Sequence, residues 1–281
     1  MTSRLTNSVA VIFLFAVVSA VAQTQPAHKR IEQVEVAGRR IELKTLTGAV
    51  LFVTEGLQTE RAVPLIVHFH GAPWLIQYQI ATHLPHAALI TVQLGAGSSV
   101  YGKPFANTET FKAMIDEARV ALGMKRDWSS ITLTGFSAGY GAIRAILRNR
   151  DYVARVDNVL LLDGIHASYS PEGVPPVIKT SDVDSYVEFA GLAARGKKTF
   201  VIAHSAIWPG AYASTTECTS FVIDAVGLTR RMSVLETKGG MRQVSTVDAK
   251  GFHVRGYSGS TARDHVDFLH SMPEWFGLLK I

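Results

Sequence analysis

The chain has 281 residues, 47% of them hydrophobic and 18% charged, a composition that suits one well-buried domain and excludes a disordered chain or a coiled coil. Its 28 Lys and Arg exceed its 23 Asp and Glu by five. The basic residues are scattered apart from pairs such as Arg39-Arg40, Lys197-Lys198 and Arg230-Arg231, so no basic stripe interleaved with aromatics points to nucleic acid, and a solvated surface is expected.

Arg4 precedes an apolar run over residues 9–18 that ends in Ala20-Val21-Ala22. A positive start, a short apolar core and a small-x-small end predict a cleaved signal peptide, residues 1–22. A membrane anchor is the competing reading, but the run is short for a bilayer span. Cleavage removes Arg4 and lowers the formal charge from +5 to +4. The remaining 23–281 read as a single domain with no stable membrane anchor, exported to the periplasm or the exterior. Cys218 stands alone, so no internal disulfide can form. It falls in an apolar helical pattern and reads as core.

Residues 31–38, 40–45 and 49–54 alternate apolar with polar and predict an antiparallel meander. Residues 65–69 and 87–93 are compact apolar strands. A helical pattern covers 108–123, followed by a strand at 131–134 and a helix at 138–150. A buried strand at 159–162, a helix at 182–194, a strand at 199–203 and a helix at 214–228 come next. A last strand at 252–257 precedes a closing helix from about 263 to 279. Short apolar strands alternating with helices predict an α/β fold with a mostly parallel central sheet and helices on both faces. The chain holds no internal repeat, low-complexity segment or domain linker.

The strand at 131–134 runs into Gly135-Phe136-Ser137-Ala138-Gly139, a G-x-S-x-G turn between a strand and a helix. Such a turn forces the serine into a strained backbone conformation and needs small residues on either side, because strand and helix nearly touch. Ser137 would then project at the carboxyl edge of the sheet as a nucleophile, with a helix amino terminus beside it. The strand at 65–69 ends in His70-Gly71-Ala72-Pro73-Trp74. Pro73 lacks an N–H, so Ala72, or secondarily Trp74, would donate to an oxyanion together with Ala138. His68-Phe69-His70 also spells a possible metal pair, but that reading needs further ligands and leaves Ser137 without a role.

The general base has to come from a loop overhanging the serine. His253 lies within the last strand and His270 well inside the closing helix, which leaves His265 as the favoured base. Its competing role is a helix-cap histidine partnered by Asp264. The acid is open between two residues. Asp163 ends the strand at 159–162 and keeps the order serine, acid, histidine; Glu217, in Ser214-Thr215-Thr216-Glu217, also reads as the second half of a capping box. The segment 204–209 holds no carboxylate.

With His70-Gly71, the Gly135–Gly139 motif, Asp163 and His265 in that order, the chain resembles the α/β-hydrolase superfamily over nearly all of its mature length. The resemblance implies serine chemistry, with the acid after the sixth strand as in the lipase variant. No cofactor and no metal is expected. The short segment after Asp163 implies a minimal lid and a fairly open site for a small-molecule ester or the end of a polymer. Trp74, Tyr140, His166 and Trp208 are candidates for lining it. The same residues would suit an amidase or peptidase, and a hydrolase-like shell that binds without turnover is the reading from another class.

Overall fold

The computed structural model describes residues 30–172 and 176–281; the expected signal peptide lies outside them. Ten strands form one mixed sheet: β1 (Arg39–Glu42), β2 (Ala49–Val53), β3 (Leu65–Phe69), β4 (Ala88–Val92), β5 (Ile131–Phe136), β6 (Asn158–Leu162), β7 (Thr199–His204), β8 (Arg231–Glu236), β9 (Arg242–Ala249) and β10 (Phe252–Tyr257), in the order β1-β2-β4-β3-β5-β6-β7-β10-β9-β8. The six central strands, β4 to β10 in that order, are parallel. An antiparallel pair extends the sheet on each side.

Strands in a doubly covered parallel sheet are apolar on both faces. Leu65, Val67 and Phe69 point into one core layer and Ile66 into the other; Val159 and Leu161 alternate with Leu160 and Leu162 in the same way. The first layer is closed by α2 (Ser98–Phe105), α3 (Thr108–Ala121), α4 (Tyr140–Leu147), α5 (Arg150–Arg155), α6 (Asp184–Ala194) and α7 (Thr215–Ala225). The second is closed by α1 (Pro73–His83), α8 (Ala262–His270) and a 3-10 segment, Met272–Leu278. Cys218 is fully buried in the first layer, and burial pushes its thiol up to about 12. Among the described residues no helix is long and apolar enough to cross a membrane.

The structure departs from the expected elements where local pattern and tertiary contact disagree. Residues 31–38 are not a strand. Val36 packs into the second layer, and the Ile31 N–H donates to His270 Nδ1 at 3.1 Å, so this segment docks on the helical layer rather than pairing. The closing helix stops at His270, where Pro273 sits at the start of the 3-10 segment. The helix expected over 138–150 is two helices, α4 and α5, divided by Asn149, whose side chain caps the second. Helices α1 and α2 and the β8–β9 hairpin carry weak periodicity signals. Pro104 lies inside α2, and β8 is almost wholly exposed, with Leu235 breaking the alternation begun by Met232 and Val234.

Parallel strands bring their carboxyl ends to one edge. Phe69 pairs with Gly135, Phe136 with Leu162, Leu162 with Ala203 and His204 with Gly256. Residues 70–72, 137, 163, 204–205 and the segment after 257 therefore emerge side by side.

Candidate active site

Ser137 opens a 3-10 turn, Ser137–Gly139, between β5 and α4, with φ of 47°. Only four described residues other than glycine have positive φ, and three of them, His70, Ser137 and Asp163, lie at this edge of the sheet. Each such conformation costs on the order of 1 kcal/mol or more, so the strain is concentrated around Ser137. The small residues the turn needs are explained by contact. A Cβ on Gly139 would stand 2.1 Å from the Phe69 carbonyl oxygen, and one on Gly135 would stand 2.9 Å from Ile143 Cδ1. Gly164 is equally constrained, because its Cβ would meet the Ser137 carbonyl oxygen at 2.4 Å.

His265 lies in the first turns of α8. Thr261 and Asp264 form the capping box of this helix, with Asp264 Oδ2 accepting from the Ser260 and Thr261 N–H groups. Asp264 serves the helix end, and His265 turns inward. Its ring centroid stands 4.6 Å from that of Phe136, the residue before Ser137. His265 Nδ1 is 2.6 Å from Asp163 Oδ2. A carboxylate can only accept, so Nδ1 carries the proton and a neutral ring keeps its lone pair on Nε2. Ser137, Asp163 and His265 line one hollow of about 280 Å³.

Asp163 is 2% exposed. Burial would raise its pKa, but the hydrogen bond and charge of His265, with the Ser205 contacts, outweigh burial and hold the carboxyl below its ordinary value. Its other oxygen, Oδ1, accepts from the Ser205 N–H at 2.8 Å and from the Thr215 hydroxyl at 3.2 Å. Behind Ser205 sits a fully buried His204. Arg230, a pure donor, gives an N–H to His204 Nε2 at 2.9 Å, so His204 Nδ1–H donates to the Ser205 carbonyl at 2.9 Å. Burial, aided by Arg230, lowers His204 to about 4. Nothing in the sequence singles out Ser205, Thr215, His204 or Arg230 for this role, because donors to a distant carboxylate have no local pattern. The capping box at Ser214 marks Thr215 only as the start of a helix.

Glu217 is occupied elsewhere. Its Oε2 accepts from the Ser214 N–H and hydroxyl in the capping box, and its Oε1 accepts from the Tyr169 hydroxyl. His253 pairs with Asp248 at 2.6 Å, and His270 holds the Ile31 N–H. Neither touches this hollow.

Ala72 is the N-cap residue of α1, with Pro73 following at the first helical position, and Ala138 is the second residue of the turn at Ser137. Both backbone N–H groups therefore belong to helix starts, where they have no intrahelical partner. The loop carrying Ala72 is held from beneath. His68 is buried, accepts from the Thr134 hydroxyl at 2.7 Å and donates Nε2–H to the His70 carbonyl at 2.7 Å. His70 Nδ1 is hydrogen-bonded to the Tyr101 hydroxyl at 2.9 Å, and the Gly71 N–H donates to Gln93 at 3.1 Å. The two histidines of the H-x-H sequence thus turn to different partners, and among the described residues no further ligand-type side chains complete a metal site with them.

A second hollow, about 510 Å³, also contains Ser137 and is lined by Ala138, Tyr140 and His166. His166 packs edge-on against Tyr140 and Tyr212, and its Nδ1–H donates to the Ala213 carbonyl. Burial lowers its pKa. Trp74 and Trp208, expected beside the substrate, line neither hollow. Trp74 sits in the first turn of α1 against the second core layer, and Trp208 is 73% exposed.

No protein-family model and no curated protein matches the chain. Solved structures do. The chain is similar to a point mutant of a feruloyl esterase module from Clostridium thermocellum complexed with sinapinate, at 13% identity and a TM-score of 0.50, covering 91% of this chain and 98% of that one. A protein designated FAE matches at 14% identity and a TM-score of 0.50, covering 90% and 97%. At these identities the likeness concerns the fold, which is that of the α/β-hydrolases.

Proposed function

From a chain with the α/β-hydrolase fold, we propose an exported serine hydrolase that cleaves carboxylic esters through an acyl-enzyme. The observation that carries this reading is the hydrogen bond between His265 Nδ1 and buried Asp163 Oδ2, 2.6 Å long, in the hollow that also contains strained Ser137. Asp163 fixes the imidazole tautomer, His265 Nε2 takes the Ser137 proton as Oγ attacks the ester carbonyl, and imidazolium then protonates the leaving alcohol. The Ala72 and Ala138 N–H groups stabilise the oxyanion. Water enters, His265 activates it, and the acyl group leaves as a carboxylate. No step needs a metal or an organic cofactor. The feruloyl esterase module among the structural neighbours agrees with ester chemistry. Export rests on the sequence of residues 1–22.

Treatment with a fluorophosphonate tests the reading. One equivalent should attach to Ser137 in the wild type and none in Ser137→Ala, whose turnover of an activated ester should fall by about 10³-fold or more. An unlabelled wild type, or an unchanged rate in the variant, overturns it.

A further inference from the structure

Beyond the hollow that holds Ser137, α2 and α4 enclose a groove of about 730 Å³. The two spaces meet at Ser98 and Arg144, which line both. The groove exists because its floor is backbone. A Cβ on Gly141 would stand 2.0 Å from the Ser98 carbonyl oxygen, and one on Gly102 would stand 3.2 Å from that of Gly141. Helices this close leave no side chain to fill the space above the contact.

The charge of the groove is one-sided. Lys103, Arg144, Arg148 and Arg150 line it, and no carboxylate does, although the whole chain is nearly balanced in acid and base. Arg144, at the junction, is committed: it faces Asp182 at 3.7 Å and lies over the Tyr140 ring at 5.4 Å. The outer three are different. Among the described residues no carboxylate lies within ion-pair distance of Lys103, Arg148 or Arg150. Arg148 donates to the Ser181 carbonyl, which orients its guanidinium without neutralising it. A concave site with like charges held together and unneutralised has a positive potential that favours an anion.

We propose that this groove selects the substrate: an ester whose acyl or alcohol part bears a carboxylate, with the ester at Ser137 and the carboxylate among Lys103, Arg148 and Arg150. Arg144 forms the passage between them. Arginine suits carboxylate through its planar pair of donors, and lysine adds a point charge. The inference rests on the hydrolase reading and narrows it to acidic esters, including the end of an acidic polymer.

The test compares kcat/KM for matched pairs of activated esters, one member carrying a carboxylate and the other its methyl ester. One pair bears the carboxylate on the acyl side and another on the alcohol side. At low ionic strength the wild type should prefer the anionic member of at least one pair by tenfold or more. The preference should shrink with added salt, because the groove charges are exposed. In Lys103→Gln and in Arg148→Gln the ratio of anionic to neutral kcat/KM should fall by roughly fivefold each, the scale of one exposed charge pair. A ratio is read because partial loss of folded enzyme lowers both rates together and leaves it unmoved. Labelling of Ser137 by a neutral fluorophosphonate reports on the nucleophile separately. If Ser137 labels and the neutral esters turn over while the ratio stays near one in every pair, this inference is overturned and the hydrolase reading stands. If Ser137 does not label and no ester turns over, the hydrolase reading falls and takes this inference with it.

Discussion

Substituting Asp163 by Asn gives the sharpest test of how the site is wired. Oδ1 of Asp163 receives two donors, the Ser205 N–H and the Thr215 hydroxyl, while Oδ2 faces His265. In Asp163→Asn the carbonyl oxygen must take the Oδ1 position, because an NH2 there would point at the Ser205 N–H. The amide NH2 then faces His265 Nδ1. That nitrogen can only accept from it, so the ring proton moves to Nε2 and the base is blocked on the side of Ser137. In serine-protease triads this change of tautomer lowers kcat about 10⁴-fold. A loss of 10³- to 10⁴-fold, or about 4–5.5 kcal/mol of transition-state stabilisation, is expected here. The assay is kcat/KM on an activated ester, with the melting temperature measured in parallel so that unfolding is not read as lost catalysis. A folded variant that retains activity within tenfold of wild type would refute the wiring.

Glu217→Gln should lose about 1 kcal/mol through its capping box, seen as a lower urea midpoint, with kcat/KM nearly unchanged; a larger catalytic loss than in Asp163→Asn would transfer the acid role to Glu217. Gly139→Ala drives a Cβ into the Phe69 carbonyl and should destabilise by more than about 2 kcal/mol, whereas Gly56→Ala, with nothing within 4 Å, should be near neutral. Equal urea midpoints for these two variants would contradict the close approach of β3 and the turn at Ser137. Stability should also fall as pH drops from about 6.5 towards 4. His68 and His204 are each held neutral by burial with pKa values of about 4, against 6.5 in the unfolded chain. Over that window the unfolded chain binds protons that the fold refuses, so stability is complete above the unfolded value and is lost on acidification, on the order of 2 kcal/mol per histidine by pH 5. Urea unfolding at pH 8 and pH 5 measures this, and equal stability at the two would disprove the burial of both rings as neutral groups.

Local chemistry made much of the molecule legible. The strands at 65–69 and 252–257 match β3 and β10 residue for residue, because a strand buried on both faces is a short apolar block that neighbours cannot disguise. The turn at Ser137 was readable for a similar reason. Its glycines answer a steric demand made within a few residues, and the capping box at Ser214 is a set of local hydrogen bonds. Where an element depended on what it packs against, the pattern was weak or misleading: the 31–38 segment docks rather than pairs, and β8 leaves Met232, Val234 and Leu235 exposed instead of facing a core layer.

The amino-acid sequence by itself determined the α/β class and the strained serine turn, and offered several histidines and carboxylates that could stand near it. Only the tertiary structure brings two of them together. His265 and Asp163 are separated by 102 positions and meet because β6 and β10 flank β7 in parallel, with their carboxyl ends at one edge. The donors that hold Asp163 come from the strand end and helix on either side of a third loop, and the basic groove is formed by two helices brought into contact at glycine. Helix caps and strand blocks are settled by forces acting over a few residues. Which distant loops share an edge depends on sheet order and register, and no short stretch of sequence carries that.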